Sequence, residues 1–255
     1  MGLAAGKAVF PLAPGLIGLG AIFMSALREL SVVVPLAPGE EAWRALLADL
    51  AALPAGAEVI LVAVAGTPPP SDLQALGAVF PPRLVWCEAP RGRASQQNAG
   101  AIAASHPSLW FLHADSRLDR ASFTALAQAL PQLSGRLAYF DLRFAADGPL
   151  LMPLNALGAK IRSRWFGLPF GDQGLLLQRA DFERLGRFDP AIDWGEDHDL
   201  VWRAHRAGLR LLGIRATITT SARKYAERGW LRTTLAHLFA TWRQARRFAR
   251  AAGSR

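Results

Sequence analysis

Apolar runs and amphipathic stretches alternate along most of this chain. SVVVP (31–35) precedes EEAWRALLADLAAL (40–53), whose apolar positions recur at helical spacing. AEVILVAVA (57–65), a proline-rich turn and a short helix near 71–76 follow, then RLVWCE (83–88) and SQQNAGAIAAS (95–105). LWFLHA (109–114) and a helix near 120–130 repeat the unit. Strands that are apolar throughout, joined by helices, predict an α/β domain with a mostly parallel sheet covered on both faces. In such sheets ligands bind where the strands end. RLAYFDLRF (136–144) alternates more regularly and is expected to be antiparallel or at an edge. From Pro153 the pattern predicts an amphipathic helix through Trp165, the loop FGLPFGDQG, a short strand LLLQR and two more helices.

Composition adds limits. The 255 residues are 51% hydrophobic and 19% charged, enough for a full core and too apolar for disorder. No linker divides the chain, so we expect one domain over 30–229. The apolar segment 1–29 is broken by Pro11 and Pro14, and no clean stretch of about 20 apolar residues survives. MSALRELSVVVP, beginning at Met24, is a natural opening for the domain, so 1–29 reads as an extension upstream of its true start, with an interfacial segment as the second reading. The single cysteine, Cys87, excludes an internal disulfide and is expected to be a small core residue in a cytoplasmic protein.

The net charge of +9 is uneven. From Leu200 onward thirteen Arg/Lys face one acid, Glu227; before it sixteen face nineteen. In 230–255, Leu231, Leu235, Leu238, Phe239 and Trp242 fall on one helical face, and Arg243, Arg246, Arg247 and Arg250 follow. Such a helix either docks on the domain with a solvated basic end or lies on anionic lipid at the inner face of the plasma membrane. No recognition motif accompanies the charge, so nucleic acid is not an expected partner.

Four segments carry candidate chemistry. WFLHADSRLDR (110–120) delivers Asp115 just past a buried strand, where it either caps the next helix or holds a divalent cation, Mg²⁺ or Mn²⁺. DWGEDHDLVWRAHRAG (193–208) gathers Glu196, Asp197 and Asp199 at a helix start, behind Trp194 and Gly195. The helix macrodipole favours acids there, and a general base for a sugar hydroxyl would want the same setting. FGDQG (170–174) sets Asp172 and Gln173 between glycines, suited to a loop near a ligand or to an ordinary tight turn. RGR (91–93), at a helix start, reads on its own as a solvated pair of arginines, and in a site would bring guanidinium groups and backbone N–H donors to a phosphate. The histidines share no ligand spacing and read as surface or core residues.

Taken in order, SVVVP, RGRASQQNAGA, WFLHADSRL, FGDQGLLLQRADFERLGRFD, WGEDHDLVWRAHRAG and TTSARKYAERGW resemble a family 2 glycosyltransferase of the GT-A fold, over roughly 30–240. The nearest resemblance is to the bacterial subgroup labelled arsenosugar-biosynthesis-type. It implies a Rossmann-like, mostly parallel sheet with a C-terminal helical extension, and an inverting, metal-assisted transfer from a nucleotide-diphosphate sugar to an unknown hydroxyl acceptor. Asp197 would be the base, with Glu196, Asp172, Gln173 and Trp194 toward the acceptor. Pro35, Arg93, Asn98, Ala114, Asp115, Arg223 and Lys224 would bind the donor, and Asp115 the metal. In this subgroup the aspartate is commonly followed by a basic residue, which here is Arg117.

Two segments depart from that pattern. PLAPGEE (35–41) lacks the usual asparagine after the first strand, and VAVAGTPPP (62–70) lacks the Asp-Gly-Ser turn after the second. Both fall on the nucleobase side and motivate a second reading, a non-catalytic nucleotide-sugar-binding relative. A nucleotidyltransferase is a third, but PLAPGEEAW is not the Gly- and Arg-rich loop such enzymes use.

Overall fold

A computed structural model of the protein describes residues 25–236 together with 239, 241, 243 and 246. Most of the expected extension 1–29 and much of the basic end therefore lie outside the described residues. Seven strands form one sheet: β1 (Leu30–Pro35), β2 (Glu58–Val64), β3 (Arg83–Ala89), β4 (Ser108–Phe111), β5 (Arg136–Phe144), β6 (Leu176–Gln178) and β7 (Arg210–Thr220), in the order β3-β2-β1-β4-β6-β5-β7. Short β6 runs antiparallel to both β4 and β5, and the other four pairings are parallel. The helices are α1 (Trp43–Leu50), α2 (Leu73–Val79), α3 (Arg93–Ala103), α4 (Arg120–Ala129), α5 (Met152–Trp165), α6 (Arg179–Arg184), α7 (Glu196–Arg206) and α8 (Arg223–Arg228). Residues 230–236 are again helical.

The strands read as unbroken apolar runs because both sheet faces are covered. Val32 and Val34 pack with Trp43, Leu46 and Leu50 of α1 and Leu126 of α4. Val33, pointing the other way, packs among Ala101 of α3, Phe182 of α6 and Leu200 of α7. α3 lies so close to the sheet that a β-carbon on Gly100 would fall 2.4 Å from Val33 Cγ1. Leu27, fully buried in the first of these cores, adds a residue ahead of the expected domain start.

From β1 the chain builds outward through β2 and β3, then returns to place β4 on the opposite side of β1. The crevice beyond the carboxyl ends of β1 and β4 is the topological switch point, where such sheets bind ligands.

Three expectations change. RLLGIRATITT, to which the sequence pattern assigns no element, is β7, a long edge strand pairing with β5 and only partly buried, so it lacks the apolar signature of β1 and β2. β5 has an antiparallel neighbour as expected, but it lies inside the sheet, between β6 and β7. Cys87 sits half-buried on edge strand β3 rather than in the core. No helix among the described residues is long and apolar enough to cross a membrane.

Candidate active site

β4 ends at Phe111, and the chain turns through His113 and Ala114 to Asp115 at the switch point. Asp115 does not cap the following helix. That role belongs to Asp119, whose Oδ1 accepts the Ser122 N–H at 2.8 Å. Arg117 turns aside: its guanidinium meets both oxygens of Asp49 at 2.6 and 3.0 Å, and its backbone bridges Thr219 of β7. The Asp115 carboxylate is left facing a polar cavity of about 160 Å³, also lined by Arg93, Lys224 and Asp197. Burial pushes its carboxyl above the ordinary range, and the charge of Lys224 opposes that.

The opposite wall is the first turn of α7. Gly195, the N-cap, has φ +86°, which frees the chain to turn into the helix. The three acids there have different partners. Glu196, almost fully buried, pairs with Arg93 at 3.3 Å, and Asp199 pairs with Arg203 one turn on at 2.7 Å. Asp197 lines the cavity: Oδ2 accepts the Gly171 N–H at 2.5 Å and Oδ1 the His198 N–H at 2.9 Å. Burial works to raise its pKa but is outweighed by the charges of His198 and Arg93 and by the Gly171 N–H, so the group stays below the ordinary range, ionised.

The loop before β6 supplies the floor. Asp172 is pushed up to about 6 by burial, which the charge of Arg162 only partly offsets. Its Oδ1 has no hydrogen-bond partner, nor do Nη1 of buried Arg162 and Nε2 of His113. Burial holds His113 down at about 3, so it is neutral near pH 7. Phe170 lies against His198 with the rings tilted by 34° and their centroids 3.5 Å apart. Beyond Phe170 and Asp172 opens a second, mostly apolar cavity of about 590 Å³, between α5 and the helical residues after 229.

Not every expected site residue reaches the polar cavity. Arg93, Asp115, Asp172, Trp194, Asp197 and Lys224 do. The Gln173 amide is engaged internally: Nε2 donates to Phe140 O and Ser163 Oγ, and Oε1 accepts from Arg162 and the Phe170 N–H. It fixes the loop and leaves no group for an acceptor. Asn98 exchanges two hydrogen bonds with the Phe188 backbone, which anchors α3 away from the cavity wall. Glu196 acts behind the wall through Arg93, Arg223 points to Glu40 at 3.8 Å, and Pro35 and Ala114 shape the strand ends. Other contributors went unread in the sequence. His113 and His198 line the cavity, contrary to their reading as ordinary surface or core histidines. Arg162 and Tyr225 gave no sequence signal. Gln96, buried, donates from Nε2 to the Leu36 and Val62 carbonyls and so ties together the ends of β1 and β2.

This sheet order, with a polar cavity at the switch point, belongs to the GT-A type of α/β fold. Solved structures of low sequence identity share it. TarS of S. aureus superposes with a TM-score of 0.59 at 16% identity, covering 76% of this chain and 36% of that one. Residues 1–349 of TarS, in complex with UDP-GlcNAc, give 0.58 at 15%, covering 76% and 58%. The mannosyltransferase PcManGT of Pyrobaculum calidifontis, in complex with GDP-Man and Mn²⁺, gives 0.56 at 17%, covering 75% and 56%. The chain thus spans between about a third and three fifths of these chains. No family model and no curated protein matches the sequence.

Proposed function

We propose that the protein is an inverting family 2 glycosyltransferase, of the subgroup labelled arsenosugar-biosynthesis-type, that moves a sugar from a nucleotide diphosphate to a hydroxyl acceptor. The observation that carries this reading is that Asp115 and Asp197, on opposite walls, line one small polar cavity together with Arg93 and Lys224. The complexes of similar structures with UDP-GlcNAc and GDP-Man support a nucleotide-sugar donor.

The residues divide the work by charge. Arg93 and Lys224 lie where a leaving diphosphate needs cations. Asp197, ionised and aimed by two backbone N–H groups, keeps lone pairs free to take a proton. The acceptor oxygen attacks the anomeric carbon and its proton passes to Asp197. The bond from that carbon to the diphosphate oxygen breaks, and its electron pair leaves with the diphosphate.

Among the described residues no group of three or more His, Cys, Asp or Glu could hold a metal by itself. The fit is to a cation that takes most of its ligands from elsewhere. Asp115 offers one hard carboxylate facing the polar cavity, which would hold Mg²⁺ or Mn²⁺ alongside oxygens of the donor and water. Such an ion supplies charge neutralisation for the leaving group.

The second reading, a non-catalytic nucleotide-sugar-binding relative, is favoured by the loops after β1 and β2. Glu40 accepts the Ala42 N–H and lies 3.8 Å from Arg223, and Glu88 accepts the Gly66 N–H, so the acids present there hold these loops in place of the absent asparagine and Asp-Gly-Ser turn. A thermal-shift screen of UDP- and GDP-sugars with and without Mn²⁺, followed by turnover assays on the hits, tests both. We expect a nucleotide sugar that stabilises the protein more with Mn²⁺ and is turned over. Binding without turnover establishes the second reading, and no binding overturns both. The same proposal places the protein in the cytoplasm, at the membrane surface through 230–255.

A further inference from the structure

We infer that the larger cavity holds the apolar body of a lipid acceptor whose polyhydroxylated head reaches Arg162 and Asp172, where that cavity meets the polar one. This deepens the glycosyltransferase reading and rests on it.

The two cavities are neighbours with a shared wall: Phe144, Phe170, Asp172 and Tyr225 line both. At about 590 Å³ the larger one has the size of a small-molecule site, and Leu142, Phe144, Leu154, Phe166, Leu168 and Trp230 make most of it apolar. A free sugar would leave such walls facing a solvated polyol, whereas an alkyl or isoprenoid chain would bury against them.

Of the polar residues of this cavity, Asp172 and Tyr225 also line the polar one, and Arg162 acts electrostatically on Asp172. Arg162 Nη1 is a buried donor without a partner, and Asp172 Oδ1 a buried acceptor without one. Two such orphans lining one cavity are costly unless a ligand completes them. A hydroxyl does both, accepting from the guanidinium and donating to the carboxylate. One hydroxyl carries one proton, however, and Asp197 needs the proton of the reacting oxygen. The head therefore carries at least two hydroxyls, one held by Arg162 and Asp172 and one presented to Asp197.

The surroundings indicate where this acceptor comes from. Leu154 and Phe166 line the cavity and are also 57% and 71% exposed, so it opens to the surface beside them. Leu157, Ile161 and Trp165 continue the exposed stripe along α5. Asn155 joins α5 to the following helical residues, donating to Thr234 Oγ1 at 3.0 Å and accepting from Trp230 Nε1 at 2.6 Å. Those residues present Leu231 and Leu235 to solvent. An apolar rim around an apolar cavity suits a substrate drawn from a bilayer.

The test uses the full chain and an alkyl glucoside with a diazirine in its chain, with crosslinks mapped by mass spectrometry. A probe with the same chain and a trimethylammonium head is the control. We expect crosslinks in 142–144, 154–168 and 225–234, at least tenfold weaker labelling with the control, and at least tenfold weaker labelling in Gly158→Leu. Gly158 lines the cavity, and a β-carbon there would meet nothing within 4 Å, so leucine fills the space without disturbing the helix. Equal labelling by both probes means adsorption to an apolar face and overturns the inference. So does labelling unchanged in Gly158→Leu, or none, which would mean that the chain's own C-terminal residues cover the cavity. Calorimetry of UDP- and GDP-sugars on the same proteins separates the two levels: nucleotide-sugar binding without glucoside capture sinks only the acceptor, and capture without nucleotide-sugar binding sinks the glycosyltransferase reading.

Discussion

The Gly171 N–H donates to Asp197 Oδ2 at 2.5 Å, tying the loop before β6 to the first turn of α7. A β-carbon on Gly171 would lie 2.9 Å from that oxygen and 3.2 Å from His113 Nε2. The carboxylate and the imidazole occupy the space a side chain would need, so the loop can approach only as glycine. Gly171→Ala should cost about 1–3 kcal/mol in urea denaturation, the usual range for overpacking. A change below about 0.5 kcal/mol, as at ordinary surface sites, would show that this contact is not tight.

The base assignment gives a kinetic prediction. Asp197→Asn should lower transfer by about 10²–10⁴-fold, the range for lost general-base catalysis, while donor affinity stays near its original value. Initial rates and calorimetry on the same preparation measure the two. If Asp197→Asn retains turnover and Asp172→Asn loses it, the proton goes to Asp172 instead.

The sequence made some of this site readable and hid the rest for physical reasons. β1, β2 and β4 were legible because burial on both faces leaves them apolar throughout, and Asp115 stood out as a carboxylate just past such a run. Whether it capped a helix could not be decided there, since Asp115 and Asp119 both precede α4 and only the capping hydrogen bond tells them apart. β7 was illegible because an edge strand is only partly buried. Gln173, flanked by glycines, read as a ligand group, yet its partners Phe140 and Ser163 are supplied by distant segments. Arg162 looked like any arginine on an amphipathic helix. Its burial comes from tertiary packing, where the guanidinium lies over the Phe170 ring.

Asp172 and His113, each pushed toward its neutral form by burial, set an expected pH dependence. Asp172 moves from 3.8 to about 6 on folding, so between those values the folded state keeps a proton that the unfolded chain has released. Its contribution is complete below about pH 4 and is lost as pH rises through 6, on the order of 3 kcal/mol in all. His113, lowered from 6.5 to about 3, acts oppositely, because the unfolded chain binds the proton and stability rises with pH. The two partly cancel in the native protein. Urea denaturation of wild type and Asp172→Asn at pH 4.5 and 7 separates them: wild type should lose stability relative to the variant as pH rises, and a difference constant with pH would contradict the burial of an unpaired Asp172 carboxylate.

The exposed face of α5 leads to the last prediction. Leu157 is 54% exposed, Trp165 84% and Leu231 60%, and Asn155 hydrogen-bonds across the two helical segments that carry them. Exposed basic side chains accompany the apolar ones: Lys160 on α5, and Arg228 and Arg232 at the following turns. Insertion of such a face gains apolar burial, and anionic headgroups add roughly 1 kcal/mol per nearby cation, screened by salt. The protein should float with vesicles rich in phosphatidylglycerol and much less with neutral phosphatidylcholine. Leu157→Asp should reduce recovery several-fold, as should removal of 230–255. Because Leu157 is exposed and outside the polar cavity, the single substitution should leave the melting temperature and nucleotide-sugar binding unchanged. Equal recovery of wild type, Leu157→Asp and the shortened chain would mean that this face meets something other than lipid.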